Sequence, residues 1–358
     1  MYSRDERQIP SPDAPLMAFI AKLGVAPKGE RYDREYLVKS KDKEYKRTEF
    51  NDFIYSSNNL DVGSIGLNKY GRAVISDVYE IFTMKDGYAP EFISELVQRP
   101  RNLHKVLRFR QGCLYGQYRI YASDFLSVKL LAPDNEEQFK IAGFLQQIDT
   151  RITAQRRLVE LLKKHKRGLL RYVFEENIEG DYYSFSEIAS RRNEKITPTK
   201  DSRLDCIELE NIEQETGMLL GSVPLSGQNS LKNLCKPSDI VFGKLRPYLR
   251  KFVFAENECA VSSETWVLVA AKGIYPKFLF YLIQSEPFMR AASVSSGTKM
   301  PRSEWSNVAN AKFYVPDRTQ QETIAACFSE IDRRILTSQR ILTAAQAYKR
   351  GLLQQLFV

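Results

Sequence analysis

The stretch Glu137–Phe174, EQFKIAGFLQQIDTRITAQRRLVELLKKHKRGLLRYVF, is written a second time at Gln320–Phe357 as QQETIAACFSEIDRRILTSQRILTAAQAYKRGLLQQLF. The two copies align at an offset of 183 residues without a gap. From Gln138 to Phe174, 14 of 37 positions are identical, where average composition gives about two by chance. The match reaches back to Pro133-Asp134 and Pro316-Asp317, and it includes KRGLL at Lys166–Leu170 and Lys349–Leu353. Such self-similarity at long range marks a duplication.

Both copies read as long helices. Neither contains an internal proline, and each follows a Pro-Asp pair that suits a helix start. Apolar residues recur at alternating steps of four and three: Ile141, Leu145, Ile148, Ile152, Val159, Leu162 and Leu169 in the first copy. Ile324, Phe328, Ile331, Ile335, Leu342, Ala345 and Leu352 fall at the same phases in the second. This is a heptad seam, the pattern of a helix packed along another helix. Two seam positions are polar in both copies, Gln155 with Ser338 and Lys166 with Lys349. A parallel pair in register would set Lys166 against Lys349 at a like-charge cost. Antiparallel packing separates the lysines and brings Gln155 near Ser338, so an antiparallel pair is expected; the alternative is that each helix packs on its own domain. The glycine of each KRGLL is costly inside a helix and is expected to mark a close approach or a helix end.

Before each helix lies a globular segment. FNDFIYSSNN, GRAVISDVYEIFTM and YAPEFISELVQ in the first are matched in order by PSDIVFGKLRPYLRKFVF, ECAVSSETWVLVAA and YPKFLFYLIQ in the second. Asp52-Phe53-Ile54 corresponds to Asp239-Ile240-Val241, and Val74-Ile75-Ser76 to Ala260-Val261-Ser262. β-branched and aromatic runs between turn residues read as short strands, and the stretch after each proline reads as a helix. The expected architecture is α+β: a domain at 1–135, a helix at 136–175, a second domain at 176–317 and a second helix at 318–358. The two helices form an antiparallel coiled coil in a pseudo-twofold internal repeat.

The full chain of 358 residues has 43% hydrophobic and 27% charged residues and a net charge of +9. A basic balance in a globular composition favours a polyanionic partner. No apolar run is long enough to cross a bilayer. The five cysteines, Cys113, Cys206, Cys235, Cys259 and Cys327, are scattered with no CxxC pair, which points away from a disulfide framework or zinc site and towards a reducing compartment. A search for chemistry finds no phosphate-cradling glycine loop, no Asn-Pro-Pro-aromatic motif and no metal-ligand cluster around His104 or His165. Glu136 and Glu137 suit the first turn of a helix. No catalytic residue is expected.

Candidates for DNA contact are better supplied. In the first domain they are Ser56, Ser57, Asn58 and Asn59 after a strand, and Lys69, Tyr70 and Arg72 in a Gly-flanked loop. A basic-aromatic cluster follows, with Arg108, Phe109, Arg110, Gln111, Tyr115, Gln117, Tyr118 and Arg119. In the second domain, GKLRPYLRK supplies Lys244, Arg246, Tyr248, Arg250 and Lys251, and SSGTKMPR supplies Ser296, Thr298, Lys299 and Arg302. Arg and Lys serve phosphates and guanine edges, while Asn and Gln suit adenine edges. For any one of these residues the plain alternative is a solvated loop.

With both helix motifs in view, the chain resembles the specificity subunits of type I restriction-modification systems. The segment RYDREYLVKSKDKEYKRTEFNDFIYSSNNLDVGSIGLNKYGRAVISDVYEIF is similar to one class of that family's target recognition domains. The resemblance covers nearly the whole chain. It departs at the start: matching Val25-Ala26-Pro27 to Ile196-Thr197-Pro198 leaves the first domain about 12 residues short of the family pattern. The resemblance implies that each domain reads one half of a bipartite site in double-stranded DNA. The helices would space the half-sites and dock two methyltransferase subunits, and restriction and motor subunits would complete the assembly. It implies no cofactor in this chain, with S-adenosylmethionine on the methyltransferase and ATP and Mg on the restriction subunits, and a cytoplasmic, membrane-free setting. A rival reading from the residues is a helical scaffold that binds proteins and reads no sequence.

Overall fold

The computed structural model describes residues 1–21, 24–27, 42–58, 60, 64–114, 117–176, 180–294 and 300–357. They fall into two compact units, Met1–Ile152 with Ala345–Val358, and Thr153–Ala344.

In the first unit a four-stranded antiparallel sheet runs in the order Tyr2–Arg4, Tyr79–Thr83, Phe53–Ser56, Ile65–Leu67. Its central strand, FIYS, is buried along its whole length, as a strand covered on both faces must be. Tyr55, Phe82 and Phe125 pack ring to ring at 4.7–5.7 Å between centroids. A second sheet joins Arg7–Gln8, Tyr45–Thr48 and Ala73–Ile75. Helix Pro90–Gln98 starts on its proline and turns Phe92, Leu96 and Val97 inward.

The second unit repeats this plan. Its four-stranded sheet is Ala189–Arg191, Thr265–Ala270, Ile240–Gly243, Phe252–Phe254, also antiparallel. Its second sheet carries Lys195–Ile196, Lys232–Cys235 and Cys259–Val261, extended by Asp205–Ile207 and Val223–Pro224. Helix Pro276–Leu282 again opens on proline. The second unit also pairs strand Asp181–Ser184 with Lys312–Val315.

Register corrects the sequence alignment of the domain starts. Arg7 and Gln8 face Lys46 and Tyr45, while Lys195 and Ile196 face Asn233 and Lys232. The counterpart of Ile196 is therefore Gln8, not Val25, which lies in a hairpin strand, Gly24–Ala26. Matching by apolar character slid past the polar Gln8. The corrected register makes Met1 the counterpart of Ala189.

The long helices span Asn135–Arg171 and Arg318–Leu356. The first ends in a π-turn over Tyr172–Glu176. Their duplicated starts are built from the same bonds. Asp134 Oδ1 accepts the Glu137 N–H at 2.9 Å, and Asp317 Oδ1 accepts that of Gln320 at 2.9 Å. Gln138 Nε2 donates back to the Pro133 carbonyl, and Gln321 Nε2 to that of Pro316, each at 2.9 Å. A side-chain cap of this kind contributes about 1 kcal/mol.

Of the seam residues, Leu145, Ile148, Ile152, Val159, Phe328, Ile331 and Ile335 are buried, and Ile141, Leu162, Ile324 and Leu342 are half-buried. Within the second unit Gln155 Nε2 donates to the Ser338 carbonyl at 3.0 Å, and Lys166 Nζ lies 2.7 Å from Asp332 Oδ1. Advancing along one helix thus means retreating along the other. Within the first unit Lys349 Nζ lies 2.8 Å from Asp149 Oδ1, and Phe357 packs against Phe92 beside Ala142, in the same sense. Gly168 and Gly351 sit inside their helices, and a Cβ added to either meets nothing within 4 Å. The expected close approach or helix end is therefore not what they mark among the described residues.

The two Lys–Asp pairs are copies in different surroundings. Lys166 and Asp332 have side chains 5% and 26% exposed, against 19% and 51% for Lys349 and Asp149. Burial pushes the Lys166 ammonium below its ordinary pKa while Asp332 pulls it back. Removing the partner of a buried charge costs far more than removing an exposed one. Asp332→Asn is expected to lower unfolding free energy by about 3 kcal/mol and Asp149→Asn by under about 1 kcal/mol, measured by urea denaturation of the whole chain.

Candidate nucleic-acid interface

Each unit orients its first strand by one buried carboxylate. Asp239 receives the Arg192 fork, Nε at 2.6 Å and Nη2 at 2.9 Å, and the Lys236 N–H at 2.8 Å. Asp52 does the same for Arg4 Nε at 2.9 Å and the Glu49 N–H at 2.7 Å. Each arginine also reaches a glutamate two residues on, Glu194 at 2.9 Å and Glu6 at 3.0 Å. Burial raises the Asp52 carboxyl pKa against the pull of the Glu49 amide and Arg4. Neither arginine is free for a ligand.

Alternation along the strand puts Arg191 on the face opposite Arg192. Arg191 is exposed and lies over the Trp305 ring at 4.8 Å. With Asn193, Lys195, Asn233, Lys244 and Thr265 it lines an open cleft of about 600 Å³ whose floor includes Trp266. The cleft combines cations, amides and an aromatic face, the groups that meet phosphates, base edges and stacked bases. Of these residues only Lys244 was expected from the sequence. The run Arg191-Arg192-Asn193-Glu194-Lys195 was the available signal, but its alternation of roles is a property of the folded strand.

Two expected loops meet at this cleft. Leu245 bridges Arg302, the Arg246 N–H donates to the Pro301 carbonyl at 2.8 Å, and the Ser303 N–H donates to the Lys244 carbonyl at 2.8 Å. Arg246 and Arg250 hold left-handed backbone at φ 51° and 49°, around the turn Pro247–Leu249. Non-glycine residues there store strain that surrounding contacts must hold. Arg246 and Tyr248 are exposed. Arg302 is forked onto Glu264 at 2.9 and 3.0 Å, which raises its pKa and lowers that of the carboxyl. Arg250 and Lys251 are spent within the unit: Arg250 on the Gln284 carbonyl and Glu286, Lys251 on the Leu209 carbonyl. Ser296, Thr298 and Lys299 lie outside the described residues.

In the first unit Ser56 and Ser57 are buried, and the Ser57 hydroxyl donates to the Val78 carbonyl at 3.0 Å. Asn58 is half-buried and Asn59 lies outside the described residues. Lys69 reaches Asn51 at 2.6 Å and pairs with Glu91, Tyr70 is exposed, and Arg72 pairs with Glu49 at 3.0 Å. The basic-aromatic cluster forms a surface around the hairpin Gln111–Leu114 and Gln117–Arg119. Arg110 lies over Tyr118 at 5.7 Å and Arg119 over Tyr121 at 4.9 Å, while Arg108 and Phe109 are exposed at the end of the preceding helix. Gln111 donates to Asp124 at 2.8 Å. Tyr115 lies outside the described residues. Among the described residues no three His, Cys, Asp or Glu side chains group as metal ligands, and no helix is long and apolar enough to cross a membrane.

Two units of like topology each present a basic and aromatic surface, a composition that suits a polyanionic partner. Comparison with known proteins narrows that reading. The chain is 23% identical over 303 residues to the specificity subunit of the type I restriction enzyme MjaVIII of Methanocaldococcus jannaschii, covering 73% of this chain and 71% of that protein. It is 27% identical over 135 residues to the HindI specificity subunit of Haemophilus influenzae, 36% of this chain and 29% of that one. The fold matches the S subunit of a type I restriction-modification system from M. genitalium at TM-score 0.58, with 13% identity over 98% of this chain and 90% of that chain. A chain from a structure of type I R-M complex assembly and conformational transition matches at TM-score 0.51, with 16% identity over 87% and 82%. No protein-family model matches. The chain is thus similar in sequence and in fold to type I restriction specificity subunits.

The cleft makes a graded expectation for duplex binding. Arg191→Ala and Lys195→Ala should each reduce the slope of log K against log salt by about 1. Arg250→Ala, whose guanidinium is already occupied, should leave that slope unchanged. Fluorescence anisotropy across a salt series measures both.

Proposed function

We propose that the chain is the DNA-specificity subunit of a type I restriction-modification complex and performs no chemistry itself. The observation that carries this reading is the duplication of one reader plan, each copy followed by a long helix that starts on the same Asp cap and Gln lock. The domain at 1–135 reads one half of a bipartite site in double-stranded DNA, and the domain at 176–317 reads the other. The helices at 136–175 and 318–358 form an antiparallel coiled coil that spaces the half-sites and docks two methyltransferase subunits. The antiparallel contacts within each unit support that pairing. Phe139, Phe144, Leu158, Leu161, Ile341 and Tyr348 are exposed along these helices and supply apolar surface for docking.

In this reading phosphate contacts from Arg191, Lys195, Lys244 and the Arg110–Arg119 surface give salt-dependent affinity, and base-edge contacts give the sequence. The methyltransferase subunits carry S-adenosylmethionine and flip the target adenine out of the stack. Restriction and motor subunits bring ATP and Mg, and the complex works in the cytoplasm. A scaffold that reads no sequence would need neither the polar cleft of the second unit nor the basic and aromatic surface of the first.

The test is to co-express the chain with its cognate methyltransferase subunit in a host lacking adenine methylation and to map methylated adenines genome-wide. One bipartite motif with a fixed gap is expected. No methylation despite a stable complex would leave the scaffold reading in place. In the same assay, deleting the heptad Leu158–Lys164 is expected to change the gap while keeping both half-sites; an unchanged motif would sink the spacer role.

A further inference from the structure

The connection at residues 244–251 holds the same place in the second unit as residues 57–64 hold in the first. Strands Ile240–Gly243 and Phe252–Phe254 flank the one, and Phe53–Ser56 and Ile65–Leu67 flank the other. Both connections have eight residues, KLRPYLRK and SNNLDVGS, yet no position is identical. The turn Pro247–Leu249 inside the first of these sequences is held in a costly form. Arg246 precedes proline, a place that favours extended backbone, but it has φ 51° and ψ 62°, and Arg250 on the far side has φ 49°. Such strain in non-glycine residues persists only where surrounding contacts fix it, and it collects at functional positions.

The turn is fixed from several sides. Pro247 is buried. The Leu249 N–H donates to the Arg246 carbonyl at 2.9 Å, the Arg250 N–H to that of Pro247 at 2.8 Å, and the Glu215 N–H to that of Arg250 at 3.0 Å. The Arg246 N–H is held by Pro301, and the Arg250 guanidinium by the Gln284 carbonyl and Glu286. What this frame presents outward is Arg246 and Tyr248. Both are exposed, and neither side chain has a hydrogen-bond, ion-pair or ring partner among the described residues. The neighbouring arginines are engaged, Arg302 with Glu264 and Arg250 with Glu286. Lys244 and Glu264 line the polar cleft, so the turn stands at its rim.

We propose that Arg246 is a specificity-determining residue that reads a guanine in the half-site of the second unit, an inference that rests on the DNA-specificity reading above. A phosphate oxygen can be met from many directions and needs no fixed arm. A guanine is recognised by two parallel N–H donors on its O6 and N7, which requires the plane of the guanidinium to be set. A left-handed residue pinned on both sides sets the direction in which its side chain leaves the backbone, and an unpartnered guanidinium there keeps its donors for a ligand. The matching connection of the first unit contains no cation, so this contact belongs to one half-site alone.

The test uses the full chain assembled with its cognate methyltransferase subunit. Genome-wide maps of methylated adenine are compared for the unaltered chain, Arg246→Ala and Arg246→Lys. With Arg246→Ala one guanine of one half-site is expected to become degenerate. Arg246→Lys, which keeps the charge and loses the fork, is expected to relax it in part. The other half-site and the gap stay as they are. In anisotropy titrations on the cognate duplex, 7-deazaguanine at that position, which lacks N7, is expected to weaken the unaltered complex by about tenfold and to leave the Arg246→Ala complex unchanged. Circular dichroism checks that the variants fold, as an exposed side chain without a partner allows. An unchanged motif with Arg246→Ala would overturn the proposal and leave the specificity reading standing. Weaker methylation at every site with no base relaxed, restored by Arg246→Lys, would also overturn it, since that marks a phosphate contact. An unaltered chain that directs no motif would remove the reading and the proposal together.

Discussion

The duplicated Lys–Asp pair is the interaction on which the helical part of each unit turns. A lysine in the last two turns of one long helix meets an aspartate near the middle of the other. In the second unit that lysine is nearly fully enclosed, with the Tyr281 ring 5.4 Å away and the Tyr281 hydroxyl donating to the same aspartate at 3.0 Å. A buried ammonium is tolerated only with such a partner, so the pair sets where along its length one helix meets the other. In the first unit Glu95 stands in the place of Tyr281 and reaches Lys349 at 3.4 Å. A second carboxylate there replaces an aromatic wall, which suits a lysine that water still reaches.

The globular parts obey a different constraint. Each is hung from one buried aspartate that fixes an arginine of the first strand, and strand alternation then decides what the neighbouring side chain can do. In the second unit this turns Arg191 out over Trp305 and into a polar cleft. Divergence between the copies is concentrated where side chains leave the core. The carboxylate anchors, strand order and proline-started helices persist, while the surfaces carry different cations, amides and aromatics. That distribution fits the proposed reading of two different half-sites.

Much of this was legible in the sequence because its carriers are periodic or local. The heptad seam, the Pro-Asp starts and the strand cores at Asp52–Ile54 and Asp239–Val241 depend on neighbours a few residues away. The surface residues were less legible. Ser56 and Ser57 look like free polar donors after a strand, yet the strand continues through the core and buries them. Lys251 and Arg250 look like a basic loop, yet carbonyls and Glu286 across the unit claim them. Conversely Arg191 and Arg192 are adjacent and chemically alike, and only the sheet separates a structural arginine from an exposed one.

The sequence by itself determined the duplication, the two helices with their antiparallel preference, and the α+β character of the segments before them, since repetition, period and propensity are written along the chain. Tertiary structure alone decided the register that matches Gln8 with Ile196 and the joining of the Lys244–Lys251 loop to Arg302. Those features depend on backbone hydrogen bonds between segments far apart in sequence, and such bonds leave no mark on the identity of the residues that make them.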